Sequence, residues 1–146
     1  MSPIDHQNAG NPQAEIDFDK CFASVKDGLV VIEKPEGDIL TTKISSSRAQ
    51  SLEVTIRRIL RCCVERGSTE VRVRGKATTR DSWRILTIRI IDNGPSFSQT
   101  ELSTASSSNI SARLSRELSI YLEELDVRQT DEGTEFHLSV MYERLA

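Results

Sequence analysis

The residues best suited to chemistry lie in and around the stretch Thr87–Leu102, TIRIIDNGPSFSQTEL. Alternating β-branched residues run into Asp92-Asn93-Gly94-Pro95, a turn that can hold an acceptor carboxylate at a strand's end. Directly beyond stand Ser96 and Phe97, where a loop that receives phosphate on its backbone N–H groups would want glycine. Upstream, the segment RRILRCCVERG carries Arg57, Arg58 and Arg61 as a basic edge, with Arg66 near its end and the adjacent thiols Cys62 and Cys63 between them. Most basic runs of this kind are solvated faces; the alternative is a patch, Arg57, Arg61 and Arg66, that meets an acidic partner or a phosphate.

The remaining reactive groups are less promising. Cys21, Cys62 and Cys63 are three in number, two of them adjacent, and adjacency is a poor geometry for a mutual disulfide. Neither a CxxC pair nor a Cys/His ligand spacing occurs, so no metal site is expected. Cys63 falls on an apolar helix face and reads as core. Cys62 lies beside that face, where a solvent-reachable thiol is the alternative. His6 and His137 have no nucleophile or acid partner visible in the sequence. The hydroxyl cluster of Ser103, Thr104 and Ser106–Ser108 reads as a polar loop, with phosphorylation as its alternative.

The 146 residues suffice for one domain with its own core, and 37% hydrophobic with 28% charged residues is an ordinary soluble composition. A net charge of −3 gives no electrostatic reason to expect nucleic acid or an anionic membrane as the main partner. No stretch approaches the ~20 apolar residues that span a bilayer, and no basic-then-apolar start suggests a secretory signal. Reduced thiols and these features together lead us to expect a cytoplasmic protein.

Several elements must position the candidate residues. Residues 1–16 are polar and read as a flexible leader, followed by a single domain over 17–146. DFDKCFASV suits a short helix. GLVVIEK reads as a buried strand, PEGD as a turn and ILTTK as the second strand of a hairpin. From Arg48 to Arg66, Leu52, Ile56, Ile59, Leu60, Cys63 and Val64 fall on one face of a helix. Ser45–Ser47 are available to cap it, and Gly67 sits just past its end. TEVRVRG and WRILTIRII read as strands joined by GKATTRDS. A second amphipathic helix is expected through Ile110, Leu114, Leu118, Tyr121, Leu122 and Leu125, and DVRQT–DEG–TEFHLSVMYE closes the chain as a hairpin. This order implies an α+β two-layer sandwich, a mixed sheet covered on one face by two or three helices.

Three segments in this order, CCVERGSTEVRV, RIIDNGP and DEGTEFHLSV, resemble the Bergerat-fold ATPase superfamily of gyrase, chaperone, histidine-kinase and MutL ATPases. The resemblance covers about two thirds of the chain, Ser45–Tyr142. In size the chain is closest to stand-alone anti-sigma or phosphotransfer-type members. The resemblance implies that Asp92 stands where the family's aspartate accepts from the adenine amino group. By the same token Gly94 lets the backbone approach the base, and Thr134 lies near the adenine. The positions tied to phosphate chemistry differ. Cys62 falls where the family has a magnesium-binding asparagine, and Arg58 where many members have a residue that activates water or assists the acceptor. Ser96 replaces a glycine, and SSSNISARLS replaces the glycine-rich lid. A thiol is a poor ligand for a hard cation, and a permanently charged guanidinium is no general base.

The sequence therefore implies a degenerate nucleotide site, Arg58, Cys62, Asp92, Gly94, Ser96 and Thr134, with no catalytic residues and no required cofactor. The expected function is a non-catalytic regulatory module that binds a protein partner. ATP binding, as a nucleotide sensor or a serine/histidine kinase-like enzyme, is the alternative. A third reading is a self-assembling subunit, a homodimer formed through the open sheet edge or the Leu114–Leu125 helix.

Overall fold

In the computed structural model, which describes residues 12–95 and 124–145, the strongest periodicity becomes the longest helix, α2, Ser46–Glu65. Ser45 caps it, its hydroxyl accepting from the Arg48 N–H at 3.4 Å. Ala49, Leu52, Ile56, Ile59, Leu60 and Cys63 make its buried face. It ends in a paired C-terminal motif: Gly67 N–H donates to the Val64 carbonyl at 3.0 Å and Ser68 N–H to the Cys63 carbonyl at 2.9 Å. That motif needs the left-handed backbone of Gly67, φ 91°.

The sheet beneath α2 has five strands: β2 (Val30–Glu33), β4 (Glu70–Arg80), β5 (Trp83–Asp92), β6 (Glu124–Thr130) and β7 (Gly133–Arg144). Their spatial order is β2-β4-β5-β7-β6, parallel between β2 and β4 and antiparallel elsewhere. Two strands running in parallel need a long crossover, and α2 lies within it, which is why it covers the sheet. Alternation puts Val71 and Val73, Leu86, Ile88 and Ile90, and Phe136, Leu138 and Val140 into one cluster with the helix face. A short helix α1, Phe18–Ala23, adds Phe18, Cys21 and Phe22 to the same core. The expected architecture is thus the one observed, with two helices among the described residues. No helix among them is long and apolar enough to cross a membrane.

The N-terminal third departs from expectation. β2 is not a buried strand but an edge, with Val30 60% and Ile32 44% exposed. ILTTK is not its hairpin partner. Gly37–Leu40 form a 3₁₀ turn that packs Ile39 into the core against β4. The Thr41 and Thr42 hydroxyls bond back to the Asp38 carbonyl at 3.3 and 2.6 Å, and such local bonds compete with a strand ladder. Residues 13–16, assigned above to the leader, belong to the fold. β1, Gln13–Ala14, pairs with β3, Ile44–Ser45, and Ile16 is buried.

Two boundaries also move. β4 runs on through Gly75–Arg80, and the hairpin connection shrinks to Asp81 and Ser82, both at positive φ (51° and 69°), as a tight two-residue turn that matches strand twist demands. Leu125 lies in β6, paired with Leu138, not in a helix. The leader's first eleven residues, the serine-rich segment and the rest of that expected helix lie outside the described residues.

Candidate functional site

The site forms where three chain segments converge: the end of β5, the start of β7 and the turn that leaves α2. Asp92 and Thr134 are cross-strand partners in the β5–β7 ladder, so both side chains point to the helix-covered face. Both are buried, at 1% and 0% exposure. Gly133 makes this approach feasible. It holds φ 140°, and a Cβ there would stand 1.9 Å from the Asp92 carbonyl oxygen.

The turn after α2 delivers two side chains to the Asp92 carboxylate. The Ser68 hydroxyl donates to Oδ2 at 2.7 Å and Arg66 Nη1 donates to the same oxygen at 2.6 Å. The other oxygen, Oδ1, accepts from the Gly94 N–H at 3.3 Å. Arg66 Nη2 also donates to the Pro95 carbonyl and, at 3.4 Å, to Thr134 Oγ1, whose own hydroxyl donates to Gln129 Oε1 at 2.9 Å. Among the described residues no buried side-chain nitrogen or oxygen lacks a partner. Gly94 is packed tightly here: a Cβ would stand 2.4 Å from Ser68 Oγ.

Asn93 has a separate part. Its Oδ1 accepts from the Thr69 and Glu70 N–H groups at 2.9 and 3.0 Å, and its Nδ2 donates to Thr69 Oγ1 at 2.9 Å. It fastens the end of β5 to the start of β4 and so fixes the turn that carries Arg66 and Ser68.

Of the six residues that sequence reasoning grouped as a site, Asp92, Gly94 and Thr134 come together. Cys62 is half-buried near the end of α2, and Arg58 is exposed one turn earlier. Ser96 lies outside the described residues. The basic patch does not hold as one surface. Arg61 is exposed and Arg57 half-buried, while Arg66 turns inward with 12% of its side chain exposed. At 3.6 residues per turn, nine residues carry Arg66 about 180° round the helix from Arg57. Ser68 and Asn93 were not anticipated, because their partners are long-range and neither residue type is unusual in a turn.

Burial raises the Cys63 thiol well above its ordinary pKa, and the neighbouring Asp92 charge adds to that. Burial first, then Glu53, pushes Cys21 up to about 12. Among the described residues no three His, Cys, Asp or Glu side chains gather as a metal-binding group.

No protein-family model matches this sequence, and no curated protein is significantly similar to it. Solved structures do share its fold. The ATP-binding domain of PrrB from Mycobacterium tuberculosis superposes with a TM-score of 0.66 at 15% identity, covering 91% of this chain and 98% of that one. The mycobacterial sensor histidine kinase MprB gives 0.61 at 12% identity, over 92% and 99% of the two chains. The catalytic domain of the histidine kinase ThkA, in a nucleotide-free form, gives 0.64 at 5% identity, over 90% and 95%. The chain therefore has the fold of histidine-kinase ATP-binding domains, as the order of its motifs implied.

Proposed function

We propose that this chain is a non-catalytic regulatory module, an ATPase-type scaffold that binds a protein partner and no longer handles nucleotide. One observation carries the reading: the Asp92 carboxylate, the group the resemblance assigns to the adenine amino group, is already engaged by Arg66 and Ser68. A ligand entering there must displace a buried ion pair and offer as many hydrogen bonds in return.

A magnesium nucleotide does not fit the remaining residues. Cys62 offers a thiol where a hard cation wants oxygen. Arg58 offers a fixed positive charge where a base would be needed. Protein binding has its own support. β2 forms one edge of the described sheet and exposes Val30 and Ile32, and an open edge strand can accept a further strand from a partner or from a second copy.

The test is a melting titration with ATP, with and without magnesium. The melting temperature should not move. A stabilisation above ~2 kcal/mol at saturating ATP would show tight binding and reinstate the nucleotide-sensor reading. Light scattering across concentration separates a foreign partner from self-association.

A further inference from the structure

Arg66 sits in its corner as a ligand would. Its guanidinium reaches three acceptors from three separate points of the chain: Asp92 Oδ2, the Pro95 carbonyl and Thr134 Oγ1. Two of the three acceptors are themselves held in place. Ser68 fixes the carboxylate, Gln129 orients the threonine hydroxyl, and Gly94 N–H holds the second carboxylate oxygen. The carboxylate has no exposed surface of its own. A planar fork of N–H donors matches this arrangement; a compact ammonium does not.

We propose that this corner is a guanidinium socket that the chain closes with its own side chain. When Arg66 is withdrawn, the socket takes a small planar amidine or guanidine cation. The inference rests on the preceding reading that nucleotide does not occupy this corner. Two features favour it. Arg66 follows the last residue of α2, so its side chain can leave without breaking a helical turn. Once it leaves, a fully buried carboxylate lacks its cation, and that creates a strong preference for a replacement of the same shape and charge.

The experiment is chemical rescue on the full chain. Arg66→Ala should melt below the wild type, and benzamidine or methylguanidinium should restore much of the lost melting temperature in a saturable way. The wild type should show no such shift, because its socket is filled. Methylammonium, a cation without a planar fork, should not rescue. Arg66→Ala/Asp92→Asn should lose the rescue altogether. If Arg66→Ala does not fold, Arg66→Gln serves in its place. In the wild type itself, the Arg66 guanidinium protons should exchange slowly by NMR, as a socketed group's do.

Rescue that is absent in both single variants, or equal in the double variant, overturns the socket, as does fast exchange of the Arg66 guanidinium protons. A nucleotide-induced shift in the wild type would instead overturn the preceding reading, and the two failures are read from different measurements.

Discussion

Arg66 Nη1 and Asp92 Oδ2 meet at 2.6 Å, joining the end of the long helix to the end of the central strand, with 12% of the arginine side chain and none of the aspartate's exposed. This contact ties together two elements whose sequence positions differ by 26 residues. It covers the Asp92 carboxylate, the group that the resemblance assigns to the adenine amino group, so it bears on what can reach that group. A buried pair of this kind contributes little net stability against a well-packed apolar alternative, yet removing one partner strands the other.

Arg66→Ala should therefore cost about 3–5 kcal/mol of unfolding free energy, the usual result of leaving a buried charge unpaired. Arg66→Lys should lose less, since a cation remains but cannot reach Asp92, Pro95 and Thr134 together. Urea denaturation at neutral pH measures both. A loss under about 1 kcal/mol for the alanine variant would place the pair with ordinary surface ion pairs.

Thiol titration gives an independent check on burial around the site. The thiolate is the reactive form, and burial raises Cys21 to about 12 and Cys63 well above its ordinary value. At mildly alkaline pH a disulfide reagent should modify Cys62 in the native protein and leave the other two untouched. All three should react once the chain is unfolded. Rapid native labelling of Cys63, mapped by mass spectrometry, would mean that the base of the corner opens readily.

These outcomes bear on what the sequence could show. α2 was legible because Leu52, Ile56, Ile59, Leu60 and Cys63 repeat with the helix period and the capping residues flank them. The strands β4, β5 and β7 were legible for the matching reason, a period of two. β2 was legible as a strand but its place at the edge was not, because its parallel pairing with β4 depends on a crossover that leaves no mark within its own four residues. ILTTK has strand-forming residue types, but hydroxyl bonds to Asp38 and the burial of Ile39 settle it as a turn. Leu125 continues the spacing of an apolar helix by one more step and still belongs to a strand, since periodicity does not mark where an element stops. In the site, Asp92, Gly94 and Thr134 were found through the order of motifs. Arg66 was read with its basic neighbours because sequence shows charge but not direction. Asn93 escaped because its amide bridges to residues more than twenty positions upstream.

The outer face of the sheet offers a pH test. Arg74 is clamped between two carboxylates: Nε to Glu33 Oε2 at 2.7 Å, Nη2 to Glu33 Oε1 at 3.1 Å, and Nη1 and Nη2 to Glu132 at 2.9 and 2.7 Å. These bonds hold both glutamates below their ordinary value of 4.5. A carboxylate whose pKa is lower folded than unfolded stabilises the fold fully above the unfolded value, and the effect is lost as pH falls through the folded one. Arg74→Met should thus be less stable than the wild type at neutral pH. The gap should close below pH 4.5, where the wild type's own advantage titrates away, and high salt at neutral pH should narrow it too, because these groups face solvent. A gap that holds constant from pH 7 to about pH 3 would assign the arginine's effect to packing and not to charge.

Cys62→Asn tests how many changes separate this chain from phosphate chemistry. The substitution supplies the amide oxygen that the resemblance assigns to a metal-binding helix position, on the turn of α2 that leads to the site. It changes nothing else. Asp92 remains bound by Arg66 and Ser68, so a base entering the corner would still have to displace them. Arg58, one turn earlier, still carries a charge that cannot accept a proton. Ser96 still stands where the resemblance calls for glycine. The single variant should therefore show no ATP-dependent change in melting temperature with magnesium and no release of phosphate above the rate of ATP alone. Adding Arg66→Ala would empty the corner but leave Arg58 in place, so the double variant should still turn nothing over. Measurable turnover in Cys62→Asn alone would mean that the arginine yields to nucleotide without help, and that Cys62 was the one barrier to catalysis.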